Sequence, residues 1–188
     1  MPRTELIVGG QKSGKSRRAE LLARDWLAGA AGREAALVAT GQAWDAEMHA
    51  RIARHQRDRA ERVPGMATIE EPRDLAAVLA VHSAPHRLLV VDCLTLWLTN
   101  WLMPAMEEHG QKKPPAQSWK AQDALFLKAL SQAPGPVILV SNEIGLGVIP
   151  LGADVRAFVD ALGTLNQQVA AACDRVTLMA AGLPLQLK

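Results

Sequence analysis

The octapeptide Gly9-Gly-Gln-Lys-Ser-Gly-Lys-Ser16 constrains this chain more than any other feature. It fits the pattern GxxxxGK[ST] without a gap, follows the short apolar run Glu5–Val8, and opens a stretch of helical character from Lys15 to Leu27. Strand, glycine turn and helix in that order make a loop whose N–H groups converge on phosphate, with the helix N-terminus adding positive potential. In such a loop Lys15 reaches the β and γ phosphates of a nucleoside triphosphate, and the Ser16 hydroxyl ligates Mg²⁺. Gly9, Gly10, Gln11, Lys12, Ser13 and Gly14 supply the cradle between them. A glycine turn with no ligand is the bland alternative; the lysine, the serine and the strand–helix context together argue against it.

A loop of this kind needs a strand before it and a helix after it, and the rest of the chain repeats that alternation. Candidate strands are Glu5–Val8, Ala35–Thr40, Ala67–Glu70, Leu88–Asp92, Val137–Ser141 and Val176–Ala180. Runs such as Leu88-Leu-Val-Val91 and Val137-Ile-Leu-Val140 are apolar throughout, as strands covered by helices on both faces are. Helical segments fall at Lys15–Leu27, Asp45–Arg59, Pro72–Val81, Ala116–Ser131 and Asp154–Ala172, which makes an α/β fold with a mostly parallel sheet. The stretch Met103–Trp119, with three prolines, a glycine and two lysines, reads as an exposed connection rather than a boundary. The expectation is one domain over residues 1–188, a length that suits a single core.

Composition narrows the partners. A formal net charge of +2 and an aromatic share of 4% supply neither a basic stripe nor a stacking platform, so no nucleic-acid partner is expected. The apolar stretch Leu88–Met103 is broken by Asp92, Thr95, Thr99 and Asn100 and falls short of a membrane span. Only Cys93 and Cys173 occur, without CxxC spacing, which fits reduced thiols in a cytoplasmic protein.

Two further pieces carry chemistry. A buried strand ending in Asp92 is the pattern that supplies a carboxylate for a metal or its water shell beside such a loop; the competing role is a cap for the helix that begins near Thr95. In the segment from Asp45 to Arg59, the residues Glu47, Arg51, His55 and Arg59 recur every four positions and share one stripe, with Arg54 and Arg57 nearby. Guanidiniums suit phosphate, and cationic neighbours favour the neutral, nucleophilic imidazole, which can attack phosphorus to form a phosphoramidate. The same pattern also describes an ordinary solvated, salt-bridged helix face.

These segments also support a resemblance. Gly9–Arg17, Ala39-Thr-Gly41, Glu47-Met48, Arg51-Ile-Ala-Arg-His55, Val91-Asp-Cys-Leu-Thr-Leu-Trp-Leu-Thr-Asn100, Val140-Ser-Asn-Glu-Ile-Gly-Leu-Gly-Val-Ile-Pro150, Gly163-Thr-Leu-Asn-Gln167 and Ala180-Ala-Gly-Leu-Pro184 span almost the whole chain. In that order they resemble the bifunctional adenosylcobinamide kinase / adenosylcobinamide-phosphate guanylyltransferase family of cobalamin biosynthesis. The resemblance implies a RecA-like P-loop nucleoside triphosphate hydrolase fold, a homotrimer and two activities. The first phosphorylates adenosylcobinamide, a corrinoid, with ATP or GTP. The second moves GMP from GTP through a histidine, here His55, to give adenosyl-GDP-cobinamide. Nucleotide contacts implied by the resemblance fall on Gly9–Ser16, Ala39, Thr40, Gly41, Gln56, Arg57, Asp58, Arg59, Glu70 and Asp92, with Lys15 and His55 catalytic and Ser16 and Asp92 on Mg²⁺. Ala60 and Met66 stand where the family has a proline and a tryptophan. A kinase without the transfer step, or a regulatory nucleotide-binding NTPase, are the competing readings.

Asn142 and Glu143 end an apolar strand at the edge where α/β folds bind ligands, and beside the family match they read as a substrate or metal contact rather than a plain turn. Asn166 and Gln167 suit a cap or a subunit contact. His49, His82, His86 and His109 read as surface or loop residues, and Trp97 and Trp101 as core or subunit interface.

Overall fold

The computed structural model describes residues 3–43, 45–103 and 116–188. The connection 104–115, with His109, lies outside them, as does the side chain of Arg51. Among the described residues seven strands form one sheet: β1 (Thr4–Gly9), β2 (Glu34–Ala39), β3 (Ala67–Glu70), β4 (Arg87–Asp92), β5 (Val137–Val140), β6 (Arg175–Ala180) and β7 (Leu183–Gln186). Their order is β3-β2-β4-β5-β1-β6-β7. The first six run parallel and β7 returns antiparallel to β6. Six helices lie between them: α1 (Lys15–Ala28), α2 (Ala46–Arg62), α3 (Leu75–His82), α4 (Leu94–Leu102), α5 (Ala116–Gln132) and α6 (Ala153–Ala172).

The apolar runs become central strands because both of their faces are covered. Leu6, Val8, Leu89, Val91 and Leu139 pack with Leu79, Trp97, Phe126, Leu162 and Val169 of the helices on one face. Ile7, Leu88, Val90, Ile138 and Val140 face the other way and pack with Ala19 and Ala23 of α1 and with Val63 just after α2. Alternation along a strand thus fills two cores from one continuous hydrophobic run. Trp97 is fully buried and stands edge-on to Trp119, as expected for a core residue.

Element ends follow local chemistry. Asp45 caps α2 by accepting from Met48 N at 2.7 Å, and Asp74 caps α3 by accepting from Ala77 N at 3.0 Å. The expected helix Pro72–Val81 therefore starts later, at Leu75. The expected helix Asp45–Arg59 runs on to Arg62. β7 has no counterpart in the sequence reading. Leu183-Pro-Leu-Gln186 is short, contains a proline and is exposed, so neither burial nor propensity marks it. It pairs because Ala181 (φ 52°) and Gly182 (φ 81°) turn the chain tightly back along β6.

Candidate active site

β1 delivers the glycine loop to the carboxyl edge of the sheet, and α1 begins directly beyond it. Gly9 has φ 152°, and a Cβ there would lie 2.4 Å from the carbonyl oxygen of Met179 and 2.7 Å from Ser13 Oγ, so only glycine fits. Gly14, with φ 99°, caps α1 with no side-chain hydrogen bond, which leaves the first N–H groups of the helix to an anion. Lys12 takes the left-handed conformation at φ 57°, costing about 1–2 kcal/mol. The loop is held from both sides: Glu143 N donates to Gly9 O at 3.0 Å, and Gly182 N donates to Ser13 O at 3.0 Å. Lys15 is buried and its Nζ donates to Gly10 O at 2.6 Å, so its ammonium arches over the loop. Gly10, Gln11 and Lys12 form the exposed rim.

Asp92 ends β4, two strands from the loop. Desolvation pushes its pKa above the ordinary carboxylate value. A hydrogen bond from the Ser16 hydroxyl and the positive charges of His55, Lys15 and Arg59 oppose that rise. The capping role is not the one taken: α4 starts from Cys93, without a side-chain cap. A half-buried carboxylate bonded to a serine hydroxyl at the foot of a phosphate loop is a donor set for Mg²⁺, which favours one or two carboxylates plus phosphate oxygens. Among the described residues no group of three or more His, Cys, Asp and Glu side chains could hold a metal by itself. Burial also raises the thiols of Cys93 and Cys173, to about 11 and about 12, so neither is a thiolate at neutral pH.

α2 comes in from the β2 side. Its anchor is at its C-terminal end, where Arg59 is buried and donates to Thr68 Oγ1 at 3.0 Å. Arg62 pairs with the buried Glu20 of α1 and, at 3.1 Å, with Asp58. His55 lies one turn before Arg59 and is exposed, yet its charge acts on Asp92 together with that of Lys15. Gln56 and Arg57 are exposed on the neighbouring turn, whereas Asp58 is engaged with Arg62.

The β2 corner is more inward than its sequence suggests. Thr40 is fully buried; its Oγ1 donates to Cys93 O at 2.8 Å and accepts from Cys93 N at 2.9 Å. Its main-chain N also donates to Asp92 O at 3.3 Å, so at this corner only the partly exposed Ala39 and Gly41 are open to a ligand. Glu70 is exposed at the end of β3, in register with Ala39. Three bolts of this edge had no role in the sequence reading. Asn100 Nδ2 donates to Thr40 O at 2.7 Å and to Pro72 O at 3.0 Å. Thr95 Oγ1 accepts from Asn142 N at 2.9 Å, and Arg62 ties α2 to α1. The available signal for the first two was a polar residue inside the otherwise apolar helix Leu94–Leu102.

The family model for cobinamide kinase / cobinamide phosphate guanyltransferase matches residues 5–187. The chain is 47% identical over 184 residues to the bifunctional adenosylcobalamin biosynthesis protein CobP of Pseudomonas aeruginosa, covering 98% of this chain and 96% of that protein. It is 32% identical over 190 residues to the bifunctional adenosylcobalamin biosynthesis protein CobU of Escherichia coli, covering 97% and 98%. Among solved structures, the flagellar accessory protein FlaH of Methanocaldococcus jannaschii superposes with a TM-score of 0.51 at 12% identity, over 100% of this chain and 80% of that one. That likeness concerns the fold alone, which is the RecA-like P-loop α/β fold.

Proposed function

The chain belongs to the cobinamide kinase / cobinamide phosphate guanyltransferase family, and from that premise we propose that it is a bifunctional enzyme of adenosylcobalamin biosynthesis. It phosphorylates adenosylcobinamide with ATP or GTP and then moves GMP from GTP onto the new phosphate by way of His55. One observation supports the reading. His55 lies on α2 one turn before Arg59 and is exposed, within electrostatic range of Asp92, the carboxylate that accepts from Ser16 of the phosphate loop.

In the phosphoryl step the loop N–H groups, Lys15 and the α1 N-terminus hold the β and γ phosphates while the acceptor hydroxyl attacks the γ phosphorus. Mg²⁺, held by Ser16 and Asp92, supplies charge neutralisation to the phosphates when bound. In the transfer step the same grip turns pyrophosphate into a held leaving group. His55 forms a P–N bond to the α phosphorus as the bond to the β-phosphate oxygen breaks, and the proton on the other ring nitrogen goes to solvent. A phosphate oxygen of the acceptor then attacks that phosphorus, the P–N bond breaks with its electron pair returning to nitrogen, and the ring takes back a proton from solvent to restore the imidazole. Arg59, which Thr68 holds, and the exposed Arg57 are the guanidiniums this reading assigns to the phosphate oxygens.

The test is GTP labelled at the α phosphorus, followed by denaturation. The wild type is expected to keep alkali-stable, acid-labile label that vanishes in His55→Ala, while transfer of the γ phosphate persists. A wild type without label but with γ transfer would leave a plain kinase. The activities are assigned to one domain over residues 1–188, working in the cytoplasm, in keeping with two free buried cysteines; among the described residues no helix is long and apolar enough to cross a membrane. A homotrimer is supported by apolar side chains left exposed at Leu146, Val148, Ile149 and Leu151 and along β7 at Leu183 and Leu185. Light scattering with a mass other than three chains would reject it.

A further inference from the structure

The two half-reactions ask for different nucleophiles. Guanylyl transfer uses an imidazole and then a phosphate oxygen, and both carry a free electron pair at neutral pH. Phosphoryl transfer uses an alcohol, whose proton must leave as the new bond forms. The residues assigned so far do not take that proton. Asp92 is bonded to Ser16, Asp58 and Glu20 are paired with Arg62, Lys15 is a cation over the loop, and Glu70 ends the edge strand β3, with β2, β4 and β5 between it and β1.

The sheet order places one more carboxylate at the cradle. β5 lies between β4, which ends at Asp92, and β1, which runs into the loop. Beyond β5 the ladder continues: Ser141 N donates to Ile7 O at 3.0 Å, and Glu143 N donates to Gly9 O at 3.0 Å. Glu143 is thereby registered against the first glycine of the phosphate loop. Its backbone is fixed on the other side as well. Asn142 N donates to Thr95 Oγ1 at 2.9 Å, and the buried Asn166 donates through Nδ2 to Asn142 O at 3.0 Å. The half-buried carboxylate accepts from Gly145 N through Oε1 at 3.1 Å, which orients the group. A preorganised acid–base group is built in this way, on the end of a central strand with its supports locked. α2 and His55 arrive from β2, on the far side of β4, whereas Glu143 follows β5 next to the loop strand, so the two groups come from different strands.

We propose that Glu143 is the general base of the phosphoryl half-reaction and has no part in the guanylyl half-reaction, an assignment that rests on the bifunctional reading. The acceptor O–H bond breaks toward the Glu143 carboxylate as its oxygen bonds to the γ phosphorus. The bond from that phosphorus to the β–γ bridging oxygen breaks, and its electron pair leaves on the nucleoside diphosphate. The carboxylic acid so formed then releases its proton to solvent.

The experiment measures both half-reactions on the same protein for the wild type, Glu143→Gln and Glu143→Asp. Transfer from γ-labelled ATP to adenosylcobinamide gives the first, and retention of α-labelled GMP on the denatured protein gives the second. Glu143→Gln is expected to lower kcat for phosphorylation by about 10²–10⁴-fold, the range for loss of a general base, with little change in KM for the nucleotide. Its guanylyl label is expected to match the wild type, and Glu143→Asp to recover part of the lost rate. Phosphorylation within about 5-fold of wild type in Glu143→Gln would overturn the proposal. So would a parallel loss of label, which would make Glu143 a support of the loop. Absence of label from the wild type itself would defeat the bifunctional reading instead, and Glu143 would still be judged on the phosphorylation rates.

Discussion

From Gly9 to Ser16 the phosphate loop is clasped by main chain. Gly9 and Ser13 accept from Glu143 and Gly182, Lys15 closes on Gly10, and β1 and β5 are buried along their whole length. The histidine helix, α2, is built the opposite way. From Ala46 to Asp58 none of the described side chains is buried, and the helix is held at its far end by Arg59, Arg62 and Val63. The first region has its geometry determined before any ligand arrives. The second has a firm root and a solvated front half, the distribution expected of an element with low local stability. For two reactions at one nucleotide site this division is useful. The grip on phosphate stays constant, and the group needed in only one reaction sits on the part that yields at least cost.

If the loop serves both reactions and the helix only one, substitutions should separate them. Between these two regions the larger effect is expected for Lys15→Ala, a loss of about 10²–10³-fold in phosphorylation and in guanylylation alike, the scale for removing one preorganised charge at a transition state. Unequal losses would break the comparison. Next comes Arg62→Ala, which cuts the root of α2 and strands the buried Glu20. Arg62 is one-third exposed, so the stability cost is about 1–2 kcal/mol. Guanylyl label should form about 10-fold more slowly through lost positioning, with phosphorylation nearly unchanged. Equal slowing of both rates would show that α2 belongs to the fixed region.

The smallest effect concerns the carboxylate where the regions meet. Desolvation raises the folded-state pKa of Asp92. The stability this contributes is fully present below the ordinary carboxylate value and is lost as pH rises through the raised one. In nucleotide-free protein Asp92→Asn should therefore match the wild-type Tm near pH 4 and exceed it at pH 7. A lower Tm for Asp92→Asn at pH 7 would mean that His55, Lys15 and Arg59 outweigh desolvation.

How far the site could be read in advance depended on whether its chemistry was contiguous. The loop lies within eight successive residues, and its turn, its charge and its following helix are local properties. Asp92 was legible as the end of an apolar strand, but its choice between capping α4 and bonding Ser16 was not, because the two partners differ only in three dimensions. Thr40 shows the converse. It stands in the stretch implied to contact nucleotide, and only packing reveals that its hydroxyl is consumed by Cys93. The helix stripe of Glu47, Arg51, His55 and Arg59 was visible as a period of four. That Arg59 would be buried against Thr68 while His55 stayed exposed was not, since helical spacing says which residues share a face and nothing of what that face meets.

The sequence by itself determined the phosphate loop, the alternation of strands with helices, and the burial of the central strands on both faces, because each is written in neighbouring residues as a period or a turn. Only the tertiary structure decided the strand order, and with it that Glu143 comes next to the loop while α2 arrives from beyond Asp92. Pairing between distant strands is set by which helices cover which face. That is a property of the whole packed layer, and no single segment carries it.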